Sequence, residues 1–239
     1  MTTDWADLSA RLQASLSLAS PPLAITFSDA PPPGVAPFAA PMPEPLEDGR
    51  TGRVAAGCVF WTLAAESTFS TVAEDHANCS VGSLTHGFKT LDEVAANSDV
   101  AALIESGWVT MDVVPQIPTV REKPGAVTYG PLAQTPTDPD VVFLRVNGKQ
   151  LMVLSDAVPG IRIEGKPQCH IVAVAKEDGE IAASVGCALS RVRTGMPATE
   201  MTCAIPASKL SNVLEAIEDN AVADAMVARY AAEDARRFT

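Results

Sequence analysis

Apolar and polar positions change period several times along the chain, and each change marks an element. Trp5, Leu8, Leu12 and Leu16 recur at helical spacing and predict an amphipathic opening helix, stopped by Pro21 and Pro22. "LAITF" (23–27) is a short β-rich apolar run. The proline-dense stretch "DAPPPGVAPFAAPMPEP" (29–45) follows as a loop, because proline supplies no backbone donor to a helix or a central strand. "GCVFWTLAAES" (57–67) suits a short buried helix and "TFSTVA" (68–73) a strand. From Thr90, "LDEVAANSDVAALIESGWV" reads as helical turns, with Ser98 or Asp99 capping a second helix that ends near Gly107.

The middle of the chain is β-rich. "AVTYGPL" (126–132), "DVVFLRV" (140–146) and "QLMVLS" (150–155) read as strands, and Asn147-Gly148 predicts a tight hairpin between the last two. "CHIVAVAKEDG" (169–179) fits either period; its length and the stop at Gly179 favour helix. "EIAASVGC" (180–187) and "TEMTCAIP" (199–206) follow as strands, and one or two amphipathic helices close the chain over 207–238. The sum is an α+β, or mixed α/β, fold in a single globular unit spanning 1–239.

Two stretches share an order of elements. Cys58 opens a run that reaches Cys79 after 21 positions, and Cys169 opens one that reaches Cys187 after 18. Each passes from cysteine through a short helix and a strand to a second cysteine and then small residues, "CSVGS" in one and "CALSR" in the other. The expectation is an internal duplication, about 20–125 and 126–215, whose halves meet at a pseudo-twofold axis and bring equivalent cysteines together.

Composition narrows the partners. The hydrophobic fraction of 47% with 19% charged residues belongs to a folded globular chain. A net charge of −12 repels nucleic-acid phosphates and anionic lipid, so neither is expected as a partner. The opening "MTTDWADLSARLQ" lacks the basic start and apolar core of an export signal, and no apolar run reaches the roughly 20 residues of a membrane helix. A soluble cytoplasmic protein is the expectation. In that compartment five cysteines point to packing, redox chemistry or metal binding rather than disulfides.

"EDHANCSVGSLTHGF" (74–88) gathers His76, Cys79 and His86 within eleven residues. His76 and Cys79, three apart, share a face if the turn is helical. His170 follows Cys169 directly, and neighbouring side chains diverge, so the two do not easily bind one ion. Four thiolates suit zinc or an iron–sulfur cluster, because soft sulfur donors favour those metals. No C-x-x-C pair imposes proximity locally, so convergence must come from the fold. The plain alternatives are free cysteines acting as small buried hydrophobes and histidines satisfied in the core. Axial haem ligation by a histidine is a further option, without a C-x-x-C-H attachment motif.

The blocks "SPPLAITF", "GCVFW", "EDHANCSVGSLTHGF", "EGKPQCHIV" and "SVGCALSRVRTGM", in that order from about residue 20 to 215, resemble the uncharacterised prokaryotic family known as domain of unknown function 169. The resemblance implies a soluble, cysteine-bearing protein suspected of holding a metal or cluster, with Cys58, Cys79, Cys169 and Cys187 at the family's cysteine positions. Cys203 falls outside those blocks. No activity is implied.

Three readings follow. The leading one is a metal, iron–sulfur or haem protein with a redox role, using Cys79, Cys169 and Cys187 with Cys58 as the fourth ligand. His76, His86 and His170 stand as further cofactor candidates, a redox partner is implied, and a homo-oligomer is compatible with the chain. The second is a thiol enzyme in which Cys79 or Cys187, at the start of a small-residue turn, attacks a small anionic substrate held near Arg191 and Arg193; the ordinary role of those arginines is an exposed surface salt bridge. The third is an interaction protein with buried, inert thiols.

Overall fold

The structure is a computed structural model and describes residues 3–39 and 57–238. Its centre is one eight-stranded sheet in the order β2-β3-β4-β1-β5-β8-β7-β6. The strands are β1 (Leu23–Ser28), β2 (Ala36–Pro37), β3 (Phe69–Thr71), β4 (Ala126–Pro131), β5 (Val141–Asn147), β6 (Arg162–Glu164), β7 (Ala182–Ser184) and β8 (Glu200–Pro206). β2 runs parallel to β3 and β6 parallel to β7, while the other neighbours are antiparallel. The architecture is the mixed α/β class expected.

Read outward from the central β1–β5 pair, the two wings match. β1 is followed by β4, β3 and β2; β5 is followed by β8, β7 and β6. Each wing repeats the same sequence of antiparallel and parallel pairings. β4 pairs with both β1 and β3 and so belongs to the first wing.

Helices cover both faces. On one lie α1 (Trp5–Leu16), α6 (Gly148–Ala157) and the start of α9 (Leu210–Ala235), whose Leu12, Leu154, Leu210 and Leu214 meet Val142, Leu144, Cys203 and Ile205 from the sheet. On the other lie α2 (Gly57–Leu63) and α7 (His170–Ala173), the latter continued by a π-helical turn (Val174–Asp178) that ends at Gly179 in the left-handed region. Their Phe60, Trp61, Ile171 and Val174 pack on Leu23, Ile25, Val127, Tyr129 and Phe143. Side chains one residue apart on a strand take opposite faces, so Val142 and Phe143 serve different cores. A satellite core joins α3 (Ser80–Thr85), α4 (Leu91–Ala95) and α5 (Ser98–Glu105) through Leu84, Val94 and Val100. α8 (Ala188–Thr194) completes the helices of the described residues.

The structure corrects several local expectations. "QLMVLS" is not a strand but part of α6, and Asn147-Gly148 is not a hairpin turn: Asn147 ends β5 and caps α6, which starts at Gly148. Asn147 accepts from the Gln150 N–H at 3.0 Å while Gln150 Oε1 accepts from the Asn147 N–H at 2.8 Å, a reciprocal capping box that starts a helix. The opening helix ends at Leu16, with Ser17 left-handed, before the prolines are reached. α5 begins after Asn97, one residue before the expected caps; Asp99 lies in its first turn and accepts from Ser80 and from the Val100 N–H at 3.0 Å. The closing segment is one 26-residue helix, and the end of the proline-dense loop (residues 40–45) lies outside the described residues. Among the described residues no helix is long and apolar enough to cross a membrane.

Candidate functional site

Four short helices begin around a single cavity. Cys58 lies in the first turn of α2, and Cys79, Cys169 and Cys187 are the residues immediately before α3, α7 and α8. α2 packs on α8 and on α3, and α3 packs on α7. The pairs α2–α8 and α7–α3 are the same contact with the two wings exchanged. All four thiols line one cavity of about 30 Å³, walled by Val81, Pro167, Leu189 and Arg193. Up to 129 positions apart in sequence, they are brought together by the tertiary fold alone.

Each thiol has its own polar neighbour. Cys79 Sγ accepts the Gly82 N–H at 3.4 Å and Arg193 Nη1 at 3.2 Å. Cys187 Sγ accepts the Ser190 N–H at 3.4 Å, the same three-residue reach on the other wing. Burial pushes the Cys58 thiol up to about 11, with the charge of Cys79 adding to it, while the Ser190 hydroxyl opposes the shift. Burial also holds Cys169 well above the ordinary thiol range, the neighbouring Cys79 adds to it, and Thr85 opposes it. Backbone and side-chain donors of this kind are what thiolate ligands of metals receive.

Further side chains lock the cysteine segments together. Gln168, buried, accepts the Cys187 N–H at 3.2 Å and donates to Ser190 Oγ at 2.9 Å, tying the start of α7 to the start of α8. Gly186 must be glycine: its φ is +104°, and an added Cβ would stand 2.8 Å from Arg191 Nη2. Arg191 is not a free surface cation. It donates to the carbonyls of Val185 at 2.9 Å, Glu200 at 3.1 Å and Pro197, and so pins the loop before Cys187. Arg193 is half-buried on Cys79 rather than in a surface salt bridge. Its partner lies 114 positions away, so no local pattern could reveal the contact. Gln168 and Ser190 were likewise invisible to spacing.

The histidines stand elsewhere. His76 is fully buried under Phe60 and Phe88, with Nε2 3.0 Å from Thr71 Oγ1. His86 is fully buried with Nδ1 3.0 Å from the Gly82 carbonyl, which fixes that nitrogen as the donor. Burial lowers His76 well below the ordinary imidazole range and His86 to about 4, so both are neutral near pH 7. His170 Nε2 stands 3.1 Å from Glu164 Oε2 but out of hydrogen-bond alignment, and burial lowers its pKa against the pull of Glu164. None of the three lines the cysteine cavity. Cys203 lies on the opposite face of the sheet, fully buried, with burial raising it to about 12.

The tryptophans pack. Trp61 lies 4.3 Å, centroid to centroid, from Phe143, Trp5 donates to Asp138 at 2.7 Å, and Trp108 sits beneath the Lys166 ammonium.

The family described as uncharacterised ArCR, domain of unknown function 169, matches residues 11–216, and the chain belongs to it. No curated protein and no solved structure matches the chain.

Proposed function

We propose that this member of the ArCR family is a redox protein that holds an iron–sulfur cluster on Cys58, Cys79, Cys169 and Cys187. The observation that carries the reading is the convergence of four thiols, from equivalent positions in two wings, on one cavity that no histidine lines. An all-sulfur donor set suits iron–sulfur clusters and zinc. Around one tetrahedral zinc the sulfurs would stand about 3.8 Å apart, given Zn–S bonds of about 2.3 Å. Among the described residues no three side chains of ligating type are arranged around a single ion. An iron–sulfur cluster takes four thiolates held wider apart than a single zinc ion does. Haem held by an axial histidine fits poorly, because none of the three histidines lines the cavity.

In this reading the chain's own groups tune the centre. The Gly82 and Ser190 N–H groups and the Arg193 guanidinium place positive charge at two of the four sulfurs, which favours the more negative, reduced state. Ligands drawn from both wings also tie them together, so cluster binding adds to folding stability. The test is anaerobic purification followed by an absorption spectrum and iron and acid-labile sulfide analysis of one sample. Stoichiometric iron and sulfide with visible charge-transfer bands are expected; a colourless protein still lacking iron after anaerobic reconstitution overturns the reading.

One observation favours a second reading. Arg193 places a cation 3.2 Å from Cys79 Sγ, an arrangement also suited to a nucleophilic thiolate. A metal-free protein in which Cys79 alone is alkylated rapidly near pH 7, with Arg193→Ala slowing it, would support thiol chemistry instead.

A further inference from the structure

A separate cleft of about 560 Å³ opens at the far end of α3, within the size range of small-molecule sites. Leu84, Phe88, Leu91, Val114, Ile117 and Val120 give it an apolar floor, and its rim carries Lys89, Glu93, Arg121 and Lys123. Two walls meet there and are fixed to each other. The Val120 N–H donates to the Thr85 carbonyl at 3.0 Å, and Gly87, with φ +76°, lets the Val120 carbonyl approach so closely that an added Cβ would stand 2.7 Å from it. The cleft is therefore preformed.

The rim charges are unevenly committed. Arg121 is held by Asp178 at 3.0 Å and Glu177 at 3.8 Å. The Glu93 carboxylate accepts the Thr90 N–H at 2.7 Å and the Thr90 hydroxyl at 3.0 Å; those bonds lower its pKa, and Lys123 and Lys89 lower it further. Lys89 and Lys123 have no ion-pair partner among the described residues. In a chain of net charge −12, two ammonium groups share one rim carboxylate, Glu93, over an apolar floor and leave the rim with excess positive charge.

We propose that this cleft binds a small organic anion, with an apolar body on the Leu84–Phe88–Val120 floor and a carboxylate or phosphate between Lys89 and Lys123. A neutral apolar ligand would leave the lysines unused, and an inorganic anion would leave the floor bare. The site stands independently of what the thiols hold. It also has a route to them: Leu84 and Gly87 belong to the segment that starts at Cys79, and a six-residue helix spans only about 9 Å.

The experiment titrates the full-length protein with the fluorescent anion 8-anilinonaphthalene-1-sulfonate and, in parallel, with the neutral N-phenyl-1-naphthylamine. The proposal expects saturable binding of the anion that weakens with added salt and falls about tenfold or more in the Lys89→Ala/Lys123→Ala double variant. Glu93→Gln, which removes the carboxylate that competes for the two lysines, tightens it, and Ile117→Trp, which fills the floor, abolishes it. Competition by benzoate and by phenyl phosphate then distinguishes the head groups. Equal anion binding by wild type and double variant, tighter binding of the neutral probe, or no saturable binding of the anion overturns the proposal. Both lysines are on the rim, and unchanged melting of the double variant keeps a folding defect from imitating the expected loss.

Discussion

The two faces of the central sheet solve the same packing problem with different chemistry. On the α1–α6–α9 face the buried members are aliphatic or small, and the one cysteine there, Cys203, is sealed in a β-strand with its thiol pushed up to about 12. The α2–α7 face is aromatic: Phe60, Trp61, Phe69, Tyr129 and Phe143 interlock, and imidazoles are admitted among them. That face also carries buried polar atoms without protein partners, namely Trp61 Nε1, His76 Nδ1, His86 Nε2 and Tyr129 Oη. Leaving such an atom unsatisfied costs about 1–3 kcal/mol, and an apolar replacement would avoid the cost. The first face is built to hold the sheet together; the second carries polarity beyond what packing needs, next to four convergent thiols.

Substitutions on the two faces should therefore separate stability from site chemistry. The largest effect falls on the aliphatic face: Leu144→Ala removes a fully buried side chain and should cost about 3 kcal/mol in chemical denaturation, leaving metal content per folded chain unchanged. Loss of metal in that variant would mean that the faces are not separable. Of comparable size is the acid response of the aromatic face. His86 is lowered to about 4 in the folded state against about 6.5 unfolded, so its stabilising contribution is complete above pH 6.5. As the pH falls from 6.5 towards 4 the unfolded chain takes up a proton that the folded chain refuses, a loss of roughly 3 kcal/mol. His76, also lowered, deepens the loss. Denaturation midpoints between pH 7 and 4 should show this slope, and His86→Asn should flatten it.

Smaller still, Cys203→Ser buries a hydroxyl in an aliphatic core and should cost about 1–2 kcal/mol. Calorimetry should find the lower melting temperature with the spectrum of the site intact. The smallest effect tunes rather than breaks: Arg193→Gln removes the cation beside Cys79 and should shift the reduction potential of a bound cluster to more negative values in redox titration, with iron content retained. An unchanged potential would detach Arg193 from the centre.

These contrasts were partly legible in the sequence. Cysteine order and small-residue turns singled out the four thiols that line the cavity, because N-terminal helix positions leave a local mark. The histidines were misleading: His76 and His86 stand near Cys79 in sequence, yet α3 carries the thiol at one end and His86 at the other, and the aromatic core absorbs both imidazoles. Asn147-Gly148 misled for a different reason, since asparagine caps helices as readily as it turns hairpins and only Gln150 three residues on decides between them. Arg193 and Gln168 act across long sequence separations or through backbone atoms, and neither kind of contact has a spacing signature.

The most direct test of the central claim is iron per chain, measured in parallel for anaerobically prepared wild type, Cys187→Ser and Cys203→Ser. The account predicts stoichiometric iron in the wild type and in Cys203→Ser, and its loss in Cys187→Ser. Equal iron in all three, or none in a reconstituted wild type, would contradict it.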